Sequence, residues 1–207
     1  MYARSTTISA RPSALDDGIK YVREQTMPAL LELDGCMGLS LLVDRGSGLC
    51  IATSSWETQE DMQASERGVA PLRSTASEHF GGSLDKVETW EIAVLHRAHA
   101  AHDGTCVRCT WLEIPTDGMD RGLDAFKHTV LPQCEQMDGF CSASMFIDRT
   151  NGRAVGAMAW DSREALDASR ERVRELRTAT TQQIGVTVTD VKEFDLALAH
   201  LRVPELV

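Results

Sequence analysis

The sequence predicts an α+β protein built as two β-α-β-β-α-β repeats, and three observations carry that prediction. Adding 104 to a residue number in the first half lands on its counterpart without a gap: Pro28/Pro132, Asp34-Gly35/Asp138-Gly139, Asp44-Arg45/Asp148-Arg149, Gly48/Gly152 and Trp56/Trp160 are identical. Short alternating apolar runs, which read as strands, are interleaved with longer 3.6-residue patterns, which read as helices. Asp-Gly and other Gly-containing turn sequences punctuate the boundaries.

From Tyr2 to Ala10 a weakly alternating run reads as a strand, ended by Arg11-Pro12. Ser13 to Asp16 resembles a capping box, and Leu15, Ile19, Val22, Leu30 and Leu33 mark an apolar helix face. Pro28 falls inside that pattern and lacks a backbone donor, which predicts a kink or break near Glu24 to Met27; Pro132 repeats it. Asp34-Gly35 closes the helix. Met37 to Val43 and Leu49 to Trp56 are the strands of a hairpin turning through Asp44-Arg-Gly-Ser-Gly48, copied as Asp148-Arg-Thr-Asn-Gly152. Thr58-x-x-Asp61 caps a second helix with core positions Met62, Val69, Leu72, Ala76 and Phe80, echoed by Leu166, Val173, Leu176 and Ile184. Gly81/Gly185 stops both helices. Val87 to Leu95 is the last strand, ending at His96, and its copy ends at His200.

Each half is therefore a split βαβ, or ferredoxin-like, unit: residues 1–98 and 106–207, joined by a polar linker at 99–105. Two helices cover one sheet face and leave the other bare, and a bare face must be buried. A second unit on the same chain supplies the cover, so the expected architecture is an intrachain pseudo-dimeric α/β barrel. A monomer is physically sufficient; a homodimer through remaining edge strands is the alternative.

A formal charge of −10 among 207 residues, with no cluster of Lys or Arg, argues against nucleic acid and against an anionic membrane surface. No apolar run reaches the ~20 residues of a spanning helix, and MYARSTTISA lacks a signal-peptide core, so the expected compartment is the cytoplasm. The six cysteines do not repeat between halves and read as small core hydrophobes, Cys106-x-x-Cys109 included because it lies in a strand. His96-x-x-His99-x-x-His102 has the spacing of a ligand set but runs from a strand into a Gly-containing linker, so neither a metal nor a cofactor is expected. No Ser-His-Asp order, phosphate-cradling loop or dinucleotide fingerprint is present.

The order of elements, the Pro before Asp-Gly, and the strands ending in Trp56-Glu57 and Trp160-Asp161 before a helix resemble the dimeric α/β-barrel superfamily, in particular antibiotic-biosynthesis monooxygenase-like domains. The resemblance covers nearly the whole chain, twice, and implies a small-molecule ligand. It leaves the activity open, since that superfamily includes cofactor-free oxygenases, haem-degrading enzymes and isomerases. Two departures bear on it. The helix His common in such domains is replaced by Ser65 and Ser169. The haem-degrading branch uses an Asn on the first strand, whereas the single Asn here, Asn151, sits in a turn; His79 is matched by Gln183.

Alternation nominates residues for a site inside the barrel. Arg4 and Thr6 share a face of the first strand, and pairing of the first and fourth strands is expected to bring Arg4 to Glu91 and Arg108 to Asp195. Such pairs are either cross-strand ion pairs or an anion-binding Arg with a carboxylate base. His96 and His200 at the strand ends are candidate bases near neutral pH. The resemblance makes Trp56 and Trp160 candidate ligand walls, against the alternative of packing under the second helix. Ser40 and Ser144 complete the nominated lining. Three functions follow: a cofactor-independent monooxygenase-like enzyme acting on a planar or aromatic small molecule, a non-catalytic ligand-binding or stress-related module, and a haem-binding protein.

Overall fold

The computed structural model describes residues 1–207, with the side chains of all but Thr116 and Leu201. The first repeat contains β1 (Tyr2–Ser9), α1 (Leu15–Tyr21), α2 (Met27–Leu31), β2 (Cys36–Val43), β3 (Leu49–Trp56), α3 (Gln59–Ala64), α4 (Glu66–His79) and β4 (Ser83–Arg97). The second contains β5 (Cys106–Glu113), α5 (Met119–Ala125), α6 (Leu131–Cys134), β6 (Phe140–Asp148), β7 (Arg153–Trp160), α7 (Arg163–Ile184) and β8 (Thr187–Leu201). Strand hydrogen bonding runs β1-β3-β2-β8-β5-β7-β6-β4 and closes as an antiparallel barrel.

The chain divides into two compact units, Met1–Glu91 with Asp195–Val203, and Ile92–Phe194 with Pro204–Val207. Strands β4 and β8, 15 residues each, are longer than the sequence predicts, and each contributes one end to either unit.

The two prolines act as expected, by a specific device. Val22–Thr26 and Phe126–Val130 are π-helical turns, in which the N–H of Met27 reaches the carbonyl of Val22 and that of Leu131 reaches Phe126. The wider turn lets the helix pass a residue that cannot donate. The second helix differs between repeats. In the first it is interrupted at Ser65, four residues before Val69 and ahead of Gly68 and Pro71; in the second, where the corresponding residues are Arg172 and Glu175, α7 runs unbroken for 22 residues. Thr58 and Ser162 cap the two helices by accepting hydrogen bonds from the N–H of Asp61 and Ala165.

Each unit buries one core between its helices and one face of its sheet. Leu15, Ile19, Val22, Leu30, Leu39, Leu41, Trp56, Val69 and Phe80 pack together in the first, and Phe126, Leu131, Phe140, Met145, Trp160, Leu166 and Val173 in the second. In both, the second strand carries a bulge, at Cys36/Gly38 and Phe140/Ser142. Such a bulge resets the alternation, so that Leu39, Leu41 and Val43 turn toward the helices.

Candidate functional site: an arginine-edged cavity in the second repeat

On β1 and β5, Arg4 and Arg108 share the face of Thr6/Ile8 and Thr110/Leu112, which is the face under the helices. Both arginines are 4% exposed and are held from above by the second helix. In the first repeat, Arg4 Nη1 donates to Ser65 Oγ at 3.0 Å and Nη2 to the Met62 carbonyl. In the second, Arg108 Nη1 donates to Ser169 Oγ at 3.1 Å and Nη2 to the Leu166 carbonyl at 2.8 Å. Each serine hydroxyl passes its own proton back to that carbonyl, at 2.7 Å in both. The serines that replace a helix His are thus committed to fixing an arginine.

The carboxylates differ. Arg4 pairs with Glu66 on the helix at 3.1 Å, and Glu66 also takes a two-pronged contact from Arg73. In the second repeat, the position of Glu66 holds Arg170, and the carboxylate comes instead from Glu193 on β8, whose first-repeat counterpart is Thr89. Glu193 lies 2.9 Å from Arg108, 2.8 Å from Arg170 and 3.5 Å from Arg163. The acid has moved from helix to strand, and Arg177, the counterpart of Arg73, is left without a hydrogen-bond or ion-pair partner among the described residues. Burial pulls the Arg177 pKa down, and the neighbouring Arg108 and Arg174 pull it further. Arg4 is lowered by burial too, but Glu66 opposes the shift.

Arg177 edges a cavity of about 80 Å³ between the helices and sheet of the second repeat. Its wall is apolar apart from Arg108, Arg177 and three threonines, with Phe126, Met145, Met158 and Ile184 prominent. The volume exists because of what the second repeat lacks. In the first, Phe80 is fully buried, and a Cβ on Gly18 would fall 2.2 Å from its Cδ1. In the second, Ile184 replaces Phe80, and a Cβ on Gly122 would meet nothing nearer than Ile114 at 3.5 Å. Gly156, where the first repeat has Ala52, opens the sheet side, a Cβ there meeting nothing nearer than Met145 at 3.4 Å.

No family profile matches the chain. Rv2557 and Rv2558 of Mycobacterium tuberculosis (strain ATCC 25618 / H37Rv), both described as uncharacterized, are 52% identical over 207 residues and 53% over 208, covering 100% of this chain and 92% and 88% of theirs. The chain belongs to their family. Among solved structures, an anthrone oxidase-like protein superposes with TM-score 0.69 at 16% identity over 100% of this chain and 94% of its own. A candidate monooxygenase of Lactobacillus acidophilus NCFM gives 0.68 at 12% over 97% and 96%. A ferredoxin-fold protein of Listeria monocytogenes 4b F2365 related to antibiotic biosynthesis monooxygenases gives 0.53 at 8%, with 94% of each chain covered. The fold is that of the dimeric α/β-barrel superfamily.

Of the residues nominated by alternation, only Arg108 borders the cavity. The expectation that Arg4 and Arg108 face away from the helices is corrected: their hydrogen bonds to Ser65 and Met62, and to Ser169 and Leu166, place them beneath α3/α4 and α7. The expected partners are corrected as well. Directly opposite Arg4 is Thr89, while Glu91 lies opposite Tyr2, and Arg4 pairs with Glu66; Arg108 pairs with Glu193, while Asp195 lies 3.7 Å from Arg45. His96 Nε2 sits 2.6 Å from Glu135, and His200 lies opposite Leu39 in β2 with its Nε2 buried. Trp56 and Trp160 are fully buried core residues and do not line this cavity; Trp56 donates to Ser54 Oγ at 3.0 Å and Trp160 packs edge-on against Phe140 at 5.7 Å. Ser40 and Ser144 lie opposite Thr53 and Ala157, on the sheet face turned from the helices, because Leu39, Leu41, Ala143 and Met145 take the core side.

This cavity's lining offers no axial ligand for haem. Neither His, Cys nor Tyr lines the cavity, and His79 lies outside the core, stacked on Tyr21 at 3.9 Å and 2.9 Å from Asp17. Sequence reasoning missed Arg177 and Ile184, although the repeat alignment carries the signal: Glu66 against Arg170 beside a conserved Arg73/Arg177, and Phe80 against Ile184.

Proposed function

We propose that the protein binds a small apolar molecule bearing one anionic oxygen in the cavity of the second repeat, Arg177 receiving the anion and the Phe126, Met145 and Met158 side of the wall receiving the apolar body. The observation that carries this is the unpaired, half-buried Arg177 at the edge of an otherwise apolar cavity. A desolvated guanidinium next to a second one gains more from an anion than an exposed one does. The first repeat supports the reading by contrast, since there Glu66 neutralises the equivalent Arg73 and Phe80 fills the equivalent space. The test is titration with benzoate and its uncharged analogue benzamide, read by calorimetry or ligand-observed NMR. Benzoate binding that is lost in Arg177→Met and absent for benzamide is the expected result. Equal binding of both, or benzoate binding that survives Arg177→Met, overturns it.

A second reading, favoured by the fold shared with a candidate monooxygenase and an anthrone oxidase-like protein, makes that anion the reactant. A phenolate or enolate held by Arg177 can itself reduce dioxygen, the substrate CH₂ becoming C=O as O₂ supplies one oxygen atom and the other leaves as water. All the electrons come from the substrate, which suits a cavity wall with no acid–base side chain. Oxygen-electrode recordings with hydroxylated polycyclic ketones decide between turnover and retention.

A further inference from the structure

We propose that His99, His102, Cys141 and Asp161 form a structural site for a borderline divalent metal ion, Zn²⁺ by its donor set, that fastens the irregular segment before β5 onto the second unit. Asp161 follows β7, Cys141 lies on β6, and residues 98–105 run past both. The Cys141 carbonyl accepts from the N–H of Ala98 at 2.9 Å and of His99 at 3.4 Å, and the Asp161 N–H donates to Gly139 at 2.8 Å. The backbone therefore fixes the positions from which His99, Cys141 and Asp161 converge, and His102 reaches the group through Asp161.

Two imidazoles aim at one oxygen. His99 Nε2 and His102 Nε2 each lie 3.4 Å from Asp161 Oδ1, which is buried and accepts no hydrogen bond. The other ring nitrogens are occupied: His99 Nδ1 is 3.2 Å from the Ala100 carbonyl and His102 Nδ1 is 2.8 Å from that of Asp103. A carbonyl can only accept, so Nδ1 carries the proton, and in the neutral ring Nε2 presents a lone pair. Two lone pairs then face a carboxylate oxygen. Charge-assisted hydrogen bonds from imidazolium would close to ~2.7–2.9 Å. A separation of 3.4 Å is instead close to the ~3.3–3.4 Å edge of a tetrahedron whose ligands sit ~2.0–2.1 Å from zinc. The Nδ1–carbonyl contacts are the outer-shell arrangement that orients ligating histidines.

The fourth donor is Cys141, fully buried, whose Sγ belongs with the His99 and Asp161 ligand atoms to a group lying within 4.8 Å of one another. Thiolate with imidazole selects zinc over magnesium or calcium, and four protein ligands leave no open position, as in structural sites. The fold does not demand these residues. Their counterparts in the repeat are Val203, Leu206, Met37 and Glu57, none of which supplies imidazole or thiolate. His96, the first member of the His-x-x-His-x-x-His run, turns to Glu135 and takes no part.

The test uses the full chain, stripped with chelator and titrated with Co²⁺ and then Zn²⁺. Expected are one equivalent of Co²⁺ with the intense visible bands of a tetrahedral site and a near-ultraviolet thiolate charge-transfer band, both displaced by Zn²⁺. Cys141→Ser removes the charge-transfer band, Cys36→Ser leaves it, and His102→Gln, an exposed position where folding is not at stake, weakens binding by ~10-fold or more. Zn²⁺ also slows proteolytic cleavage within residues 98–105. No stoichiometric binding, or a weak octahedral spectrum indifferent to Cys141→Ser and His102→Gln, overturns the proposal.

Discussion

Phe80 occupies the space that a side chain at Gly18 would need, a Cβ there falling 2.2 Å from the ring. At the equivalent place in the second repeat, Ile184 and Gly122 leave a cavity. Ile184→Phe is therefore expected to fill it, raising the unfolding midpoint while abolishing binding of benzoate. Thermal melts and calorimetry on the same variant check both halves of the statement, and retained binding with a full-size phenyl in place contradicts it.

The converse change belongs to the first repeat. Gly18→Ala introduces a methyl where no flexible side-chain tip can yield, and overpacking of this kind costs about 1–3 kcal/mol. Gly122→Ala, with its nearest neighbour at 3.5 Å, is expected to be neutral or stabilising, because Ala favours the helix over Gly by ~1 kcal/mol. Urea denaturation of the pair separates them; equal effects would mean the repeats do not differ as described.

The position of one carboxylate decides whether Arg177 is free to take a ligand. The double variant Arg170→Glu with Glu193→Thr rebuilds the first repeat's arrangement, Glu on the helix and Thr on the strand. It is expected to pair Arg177 as Glu66 pairs Arg73, and to weaken anion binding by at least ~10-fold while leaving the circular dichroism spectrum unchanged, one lost charge-assisted contact being worth ~1.5–3 kcal/mol.

Ser65 and Ser169 each bridge a buried guanidinium to a helix carbonyl. Ser65→Ala or Ser169→Ala leaves one N–H of Arg4 or Arg108 unsatisfied in the core, at a cost of about 1–3 kcal/mol. Equilibrium unfolding measures it, and a change within error would show that water or a rotamer shift replaces the hydroxyl.

Glu66 is held below the usual carboxylate range, first by its hydrogen bonds from Arg73, which outweigh the opposing effect of burial, with the charges of Arg4 and Arg73 adding to the lowering. A lowered folded-state pKa means that its contribution is fully present above the unfolded value of 4.5 and is lost as the pH falls through the lower folded value. Wild type should thus lose stability relative to Glu66→Gln as the pH falls below the unfolded value of 4.5 and through the lower folded value, and the two profiles should run parallel above it. Urea midpoints across the range provide the check.

The cysteine reading rests on burial. Cys109 and Cys50 are pushed up to about 12 and Cys134 to about 11, all by desolvation, with Asp44 adding at Cys50. Thiols so disfavoured as thiolates behave as small hydrophobes, which agrees with what their unrepeated positions indicate.

By itself the sequence determined the repeat, the strand and helix order, the helix distortion at Pro28 and Pro132, and the turns in which Asp44 and Asp148 accept backbone N–H groups ahead of Gly48 and Gly152. Those features depend on local geometry, a missing donor or a positive φ, which a few adjacent residues dictate. It also marked Arg4 and Arg108 as strand residues of one kind, but not which side of the sheet they face, because alternation groups residues by face without saying which face the helices cover. Only the tertiary structure decided which acid each arginine meets, since Glu66 and Glu193 reach equivalent guanidinium groups from elements 127 residues apart in sequence. Only the packing of Phe80 on Gly18, and of Ile184 short of Gly122, decided that one repeat is filled and the other holds a cavity, because volume in a core is a sum over side chains brought together from distant segments.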